Sequence, residues 1–267
     1  NDMDSVSKKE GIALTSAPKG TVYYFSLNQK NKNLAKPEVV EAMKYLVDYD
    51  AIGATLIKGI GEIHQTFLPK GQLGALSDNP YKLDVAKAKE LLAKAGLADG
   101  FTVTMDVRNT QPVTGIAESV QQTLAQANIK LEIIPGDGKQ TLTKYRARTH
   151  DIYIGQWGSD YFDPNSNAET FTVNPDNADT GTTKTLAWRN AWDVPKELSD
   201  ASKGALLEKD AAKRAATYED LQRKVLATSP FVIVFQQTEV AGYSSKVKNY
   251  KLGPSFDTNF VAPVSKE

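Results

Sequence analysis

The segment Gly155–Pro164 carries the side chains of this chain that are best suited to ligand chemistry. It runs Gly-Gln-Trp-Gly-Ser-Asp-Tyr-Phe-Asp-Pro, so three aromatic residues stand beside two carboxylates. Trp157, Tyr161 and Phe162 would supply flat apolar walls. Burying the Asp160 carboxylate would be costly without a cationic partner, and a bound ammonium is one such partner. The spacing therefore indicates a ligand site in this loop.

Two other interpretations of the same loop remain open. In the first, Asp160 caps a turn, Asp163 precedes Pro164 because Asp-Pro pairs start turns, and the aromatic side chains belong to the core. In the second, Asp160 and Asp163 act as an acid pair, as in glycosidases. Acids three residues apart across a turn are poorly placed to flank a scissile bond. The sequence therefore favours a protein that is not an enzyme.

Composition excludes several other classes of protein. The 267 residues contain 32 Lys plus Arg and 32 Asp plus Glu, and this zero net charge argues against a nucleic-acid partner. The absence of cysteine excludes thiol nucleophiles and disulfides within the chain. His64 and His150 lie far apart and lack a His-Glu-x-x-His frame, so we expect no metal site, no catalytic residue and no cofactor. No apolar run approaches the roughly 20 residues of a membrane helix.

A strand, a helix and a second strand in succession predict the fold class. Apolar residues alternate with polar ones over Phe101–Val107, recur at helical spacing over Val113–Ala127, and alternate again over Ile129–Ile133. Such a unit forms parallel strands with a right-handed crossover. The run Ile152–Gln156 predicts the strand that leads into the ligand loop. We therefore expect an α/β fold with a mixed sheet flanked by helices.

The remaining elements follow from the same patterns. An extended segment, Ile12–Pro18, enters a strand at Thr21–Asn28, and a buried strand at Phe231–Phe235 continues into Gln236 and Gln237. Asp50 is expected to cap a short helix. From Asn165 to Trp192 a loop with a short helix near Ala168 is expected, and from Ser244 the chain is expected to be irregular. Further helices are predicted over 36–47, 85–95, 138–149, 196–207 and 211–227.

Five segments, in this order, resemble a known family. They are Val22-Tyr-Tyr-Phe-Ser-Leu-Asn-Gln29, Val39-Val-Glu-Ala-Met-Lys-Tyr-Leu-Val-Asp-Tyr-Asp-Ala-Ile52, Asp84-Val-Ala-Lys-Ala-Lys-Glu-Leu-Leu-Ala-Lys-Ala-Gly96, Trp157-Gly-Ser-Asp-Tyr-Phe-Asp-Pro164 and Ser229-Pro-Phe-Val-Ile-Val-Phe-Gln-Gln237. Together they are similar to the family 5 extracellular solute-binding proteins, the dipeptide and oligopeptide receptors of ABC importers. The resemblance covers nearly the whole chain.

The resemblance implies a bilobal periplasmic binding protein, with the ligand closed between two α/β lobes. It implies that Asp160 meets the α-ammonium of a peptide, by a charge-assisted bond. It also implies a periplasmic location, with any export signal removed or upstream, and the permease subunits of an ABC transporter as partners. The ligand-binding residues expected on this basis are Trp157, Gly158, Ser159, Asp160, Tyr161, Phe162, Phe235 and Gln237.

The chain departs from the family pattern in two ways. The family is longer, so this chain is expected to be its second, C-terminal lobe, with the N-terminal lobe as its partner. Residues 1–20 would be a hinge and first-lobe remnant, residues 21–237 the second lobe, and residues 238–267 the return segment to the first lobe. In addition, Tyr145, Ile154 and Gln156 stand where some receptors place arginines for a peptide carboxylate. An opine-like or sugar-amine ligand therefore remains an alternative to a peptide.

Overall fold

A six-stranded mixed sheet organises the molecule, in the strand order β2-β6-β1-β5-β3-β4. The computed structural model describes residues 5–255 and 258–267. Short strands near the C-terminus form two small two-stranded sheets, β10 with β7 and β8 with β9. The strands are β1 (Ile12–Leu27), β2 (Gly61–Ile63), β3 (Phe101–Arg108), β4 (Ile129–Gly136), β5 (Ile152–Gly158), β6 (Phe231–Ser244), β7 (Val247–Lys248), β8 (Lys251–Leu252), β9 (Asn259–Phe260) and β10 (Ser265–Lys266).

Helices cover both faces of this sheet, as the predicted α/β fold requires. Their N-termini are fixed by local capping: Asp84 accepts a hydrogen bond from Lys87 N, and Asp137 forms a capping box with Gln140. The helices are α1 (Pro37–Tyr45), α2 (Tyr49–Ala51), α3 (Val85–Lys94), α4 (Val113–Gln126), α5 (Gly138–Arg146), α6 (Asn165–Thr172), α7 (Leu186–Arg189), α8 (Lys196–Leu207) and α9 (Ala211–Thr228). In the described part of the chain, no helix combines the length and apolar character of a membrane span.

The predicted strand–helix–strand unit is present. Strands β3 and β4 run parallel with Phe101 opposite Ile129, and helix α4 connects them. Strand β5 is also parallel to β3, with Met105 opposite Ile152. The buried side chains of α1, α3 and α4 form one hydrophobic core with this part of the sheet, while those of α6, α8 and α9 form a second core. The carboxyl ends of these parallel strands consequently share one edge of the sheet.

Strands β1 and β6 are long and cross the whole structure side by side. They pair antiparallel from Ile12 opposite Ser244 to Ser26 opposite Phe231, with a break in register between Pro18 and Val22. Beyond that break β1 has no pairing with β5, whose register ends with Thr21 opposite Gly158. The outer halves thus form a two-stranded ribbon, residues 12–18 with 238–244, that leaves the sheet.

The structure corrects four details of the sequence interpretation. The helix after Tyr49 is capped by Asp48, whose carboxylate accepts a hydrogen bond from Ala51 N, and not by Asp50. Strand β6 extends to Ser244 because β1 pairs with it along the ribbon. Residues 244–267, expected to be irregular, contain the short strands of the two small sheets. The loop after Asn165 holds α7 as well as the expected short helix.

Candidate functional site

The edge of the sheet that carries the strand carboxyl ends is the candidate site. Strands β3, β4 and β5 are parallel, and β6 shares their direction because β1 is antiparallel to both β5 and β6. In open α/β sheets, ligands bind in crevices outside these carboxyl ends. The ribbon leaves the sheet at the same edge. Side chains that project from this edge are therefore placed for binding.

One cavity at this edge, of about 300 Å³, contains the predicted acid. It lies between the end of β5, helix α6 and the segment entering α7. Asp160 is exposed within it, and its backbone N–H donates a hydrogen bond of 2.9 Å to Ser166 Oγ. The ion pairs of the described residues do not involve the Asp160 carboxylate. The lining residues of this Asp160 pocket are Trp157, Asp160, Tyr161, Ser166, Glu169, Thr170, Lys184, Thr185 and Arg189.

The three aromatic residues of the loop differ in exposure. Tyr161 is 49% exposed and lines this pocket, whereas Phe162 is 42% exposed and does not belong to the pocket lining. Trp157 is half-buried, packs against the core beneath α6, and has a buried Nε1 without a hydrogen-bond partner among the described residues. Large aromatic side chains exposed together on one loop are typical of an interaction surface. Trp157 instead forms the inner wall of the Asp160 pocket.

Asp163 does not face the pocket as a second acid. Its two carboxylate oxygens accept hydrogen bonds of 2.8 and 2.7 Å from Nη1 and Nη2 of Arg214 on α9. Its Oδ1 also accepts from Asn165 N. The Arg214 guanidinium holds the pKa of the Asp163 carboxyl below its usual range, so the group stays ionised and cannot act as a general acid near neutral pH. Asp163 therefore clamps the loop, and the acid-pair interpretation has no geometric support.

Ser159 and Gly158 connect the loop to β1. Ser159 is fully buried; its backbone N–H donates to Gly20 O, and its Oγ accepts from Gln72 and lies 2.7 Å from Asn167 Oδ1. Gly158 pairs with Thr21 as the last residue of β5. The Ser159 hydroxyl is thus hydrogen-bonded inside the protein and fixes the base of the loop, while the prediction that Ser159 belongs to the ligand site stays a prediction.

Phe235 and Gln237 lie at a second cavity along the same edge. Phe235 is 1% exposed and stacks on Tyr23 with ring centroids 4.2 Å apart, so only its edge borders this cavity of about 370 Å³. Gln237 lines the same cavity together with Gln111. These two predicted residues thus lie apart from the Asp160 pocket, beside the loop that follows β3.

Sequence reasoning missed several residues of the Asp160 pocket. Glu169 and Thr170 lie on α6, and Lys184, Thr185 and Arg189 lie on α7 or just before it. Their segment lacks a regular period, and the only signal available was its high content of polar and aromatic residues.

The described residues do not support a metal site or a catalytic histidine at the carboxyl ends of the strands. The described residues include no group of three or more His, Cys, Asp or Glu that could hold a metal ion. His64 and His150 are both buried, and burial lowers the pKa of each to about 4, so both are neutral at physiological pH. Neither histidine lines the Asp160 pocket.

Two solved binding proteins have a fold similar to that of this chain. One is a dipeptide binding protein from Pseudoalteromonas sp. SM9913 in complex with Met-Leu, with a TM-score of 0.85 and 19% identity over 100% of this chain and 52% of that one. Another is AgaA from A. tumefaciens R10 in complex with agropinic acid, with a TM-score of 0.79 and 24% identity over 92% of this chain and 50% of that one. These likenesses confirm the predicted fold class, an α/β fold with a mixed sheet flanked by helices.

The chain belongs to the bacterial extracellular solute-binding proteins, family 5, whose Middle-region model matches residues 1–179. The glutathione-binding protein GsiB of Pectobacterium atrosepticum is 26% identical over 262 residues. That match covers 96% of this chain and 49% of GsiB, so the chain spans about half the length of the curated relatives it matches. These relatives are binding proteins and not enzymes, which confirms the prediction of a non-catalytic protein.

Proposed function

We propose that this chain is the second, ligand-binding lobe of a receptor that captures peptides or peptide-like solutes in the periplasm for an ABC importer. One observation carries the proposal: the exposed Asp160 carboxylate, which forms no ion pair with the described residues, stands at the carboxyl end of β5 beside the aromatic side chains of Trp157 and Tyr161. A free ammonium supplies the cation that this carboxylate lacks. The proposed partners are the permease subunits of the importer and the N-terminal lobe of the same protein.

The ribbon of β1 and β6 supports the proposed division into lobes. In a two-lobe receptor the chain crossings lie side by side, because closure about a hinge requires adjacent pivots. The break in register between Pro18 and Val22 coincides with the boundaries proposed at residues 20 and 237. Residues 1–20 and 238–267 would then belong to the hinge and the first lobe. The exposed Phe260 and Val261 of the return segment are surface that a first lobe would cover.

The composition of the Asp160 pocket also suits a second class of ligand. Hydroxyl groups of Ser166, Thr170 and Thr185 line it beside the charged groups. Such donors and acceptors suit the sugar-derived hydroxyls of an opine-like or sugar-amine ligand as well as peptide amides. Both ligand classes bring an amine to Asp160, and a binding panel therefore includes both.

The experiment is an Asp160→Asn substitution in the complete receptor that contains this chain. Calorimetry would compare a free dipeptide with its N-acetylated form. We expect the free dipeptide to lose roughly 1.5–3 kcal/mol of binding free energy, the scale of a hydrogen bond to a charged group, because Asn cannot pair with the ammonium. The N-acetylated form should lose far less, since it brings no ammonium.

Asp220→Asn is the matched control, because Asp220 is an exposed acid on α9 that pairs with Lys224 outside the pocket. It should leave both affinities unchanged, and neither variant should shift the melting temperature by more than a degree or two. Equal losses for the free and acetylated dipeptides would contradict the ammonium role. A large fall in melting temperature with unchanged affinity would show that Asp160 is a structural residue.

A further inference from the structure

Arg189 is an arginine of the Asp160 pocket with one buried N–H donor that is left without a partner by the described residues. It ends helix α7 and lines the same cavity as Asp160. Its Nε is buried and has no hydrogen-bond partner among the described residues. A guanidinium carries five N–H donors in a rigid fork, and leaving them unmet in a partly desolvated place costs free energy. This arrangement indicates a partner that comes from outside the chain.

Two other arginines of the same region donate hydrogen bonds to carboxylates of the protein through their terminal Nη groups. Arg214 donates two hydrogen bonds to the Asp163 carboxylate. Arg148 donates to Asn177 and Asp179 and stacks on the ring of Trp188 at 4.5 Å. Arg189 has no such carboxylate in the described part of the chain. Of these three arginines, Arg189 is the one whose guanidinium lies in the Asp160 pocket without a carboxylate partner among the described residues.

The position of Arg189 is fixed before any ligand arrives. Its guanidinium lies over the ring of Tyr145, 5.6 Å from the ring centroid. Thr185 caps α7 by accepting a hydrogen bond from Trp188 N. A side chain held by stacking and by a capped turn loses little entropy on binding, which favours affinity.

The charges of the pocket balance one another. Asp160 and Glu169 supply two negative groups, and Lys184 and Arg189 supply two positive groups. Lys184 lies over the Trp188 ring, 5.0 Å from its centroid. A purely cationic or purely anionic ligand would leave one pair of these groups unmatched. A ligand with both signs of charge matches them.

We propose that Arg189 receives a carboxylate of the ligand while Asp160 receives its ammonium, so that one pocket takes a short zwitterion. The ligand class is a dipeptide, or an amino acid conjugate of similar size, because a cavity of about 300 Å³ lies at the small end of ligand pockets. A planar carboxylate matches the guanidinium fork in a bidentate pair. This inference rests on the proposed function and adds the group that reads the acidic end.

The test uses the complete receptor and three probes: dialanine, dialanine amide and N-acetyl-dialanine. We expect wild type to bind dialanine at least tenfold more tightly than the amide. Arg189→Gln should weaken dialanine binding by about tenfold to a hundredfold, the range expected for losing hydrogen bonds to a charged group. The same variant should bind the amide within about twofold of wild type, because the amide brings no carboxylate to lose.

Two further variants keep the result interpretable. Arg223→Gln, on the exposed face of α9 where Arg223 pairs with Glu219, is the matched control and should behave as wild type. Arg189→Lys keeps the charge without the fork and should retain part of the preference for the free acid, even if Arg189→Gln fails to fold. Melting curves identify which variants are folded.

The outcomes separate this inference from the function it rests on. If Arg189→Gln and Arg189→Lys both leave the preference for the free acid unchanged, or Arg189→Gln weakens acid and amide equally, Arg189 does not receive the carboxylate. Loss of acetyl discrimination in Asp160→Asn would still support the receptor. If wild type binds none of the three probes and none of a wider panel of peptides, glutathione and opines, the proposed function fails and the inference fails with it.

Discussion

The clamp between Asp163 and Arg214 should hold the ligand loop, and Asp163→Asn is the change that tests it. Arg214 makes two short hydrogen bonds to the carboxylate and a third from Nε to Ala205 O, at the end of α8. Replacing Arg214 would disturb both contacts. Asp163→Asn removes the negative charge of the pair, keeps the size of the side chain and leaves the bond from Arg214 to Ala205 O in place, so it tests the clamp by itself.

The expected magnitude follows from burial and geometry. A bidentate pair with a charged group is among the stronger hydrogen-bonding arrangements, and each such bond contributes about 1.5–3 kcal/mol where solvent is excluded. Here the Arg214 side chain is 17% exposed, but that of Asp163 is 35% exposed, so solvent screening reduces the gain. Asn also keeps part of the bonding. We expect a loss of about 1–2 kcal/mol in the free energy of unfolding, or roughly 2–8 °C in melting temperature for a chain of this size.

The effect should depend on pH in a defined direction. Hydrogen bonds from Arg214 hold the folded-state pKa of Asp163 below the unfolded value of 3.8. The contribution of the ionised Asp163 carboxylate to the free energy of unfolding is therefore complete above pH 3.8 and disappears as the pH falls through the folded-state pKa. The gap between wild type and Asp163→Asn should be constant near neutral pH and should close in strong acid.

Thermal and urea denaturation followed by circular dichroism measure this gap, with ligand titration alongside. Asp200→Asn is the matched control, because Asp200 forms an exposed pair with Lys196 on α8 and should cost less than about 0.5 kcal/mol. Ligand affinity should fall in Asp163→Asn, since the loop that presents Asp160 is less firmly held. If Asp163→Asn melts with wild type and binds ligand equally well, the clamp has neither role.

Three further predictions concern single positions. Burial lowers the pKa of Lys44 to about 7, so between about pH 7 and 10.5 the unfolded chain binds more protons at this amine than the folded chain does. The free energy of unfolding of wild type should therefore rise with pH across that window, whereas that of Lys44→Met should change less. Gly100→Ala should cost about 2–5 kcal/mol in urea denaturation, because φ is +80° and the added Cβ would lie 1.8 Å from Asn128 O, whereas Gly204→Ala in α8 meets nothing within 4 Å and should be neutral or stabilising. Tyr161→Ala should weaken ligand binding in calorimetry with little change in melting temperature, because this side chain is half exposed at the pocket mouth.

Each of these predictions has a contrary result. Parallel pH profiles for wild type and Lys44→Met would show that the amine hydrogen-bonded to Leu226 O stays charged in the fold. A well-tolerated Gly100→Ala would mean that the loop before β3 shifts easily. Unchanged affinity in Tyr161→Ala, or a large fall in melting temperature, would place this ring outside the binding surface.

Local pattern predicted most of the elements because it arises from contacts close in sequence. The strand–helix–strand unit from Phe101 to Gly136 and helices α8 and α9 follow the periods of their apolar residues, and Asp84 and Asp210 cap as their positions suggest. Local pattern failed where the deciding contact was distant. The length of β6 depends on pairing with β1. The helix cap is a local error, since Asp48 and not the predicted Asp50 accepts the hydrogen bond from Ala51 N.

The candidate site likewise has features that the sequence could predict and features that depend on distant contacts. The order of the five motifs in the sequence was enough to indicate the family, and the strand end with its acid and aromatic residues is the basis for predicting a ligand loop. The sequence could not separate Ser159, which is fully buried, from Asp160, which is exposed, because the difference depends on where Gly20 and Asn167 lie. Nor could it show Arg189 lining the same cavity as Asp160.

The sequence by itself determined the helices and strands, the α/β class and the family resemblance, since these depend on periodicity, capping and ordered motifs. Only the tertiary structure decided which polar side chains are paired within the protein and which remain unpaired for a ligand. Asp163 lies 51 positions from Arg214, and only the packing of α9 against the loop brings the two together. That contact occupies one acid of the loop and leaves Asp160 available, because a charged group binds a ligand only where no closer partner within the fold has neutralised it.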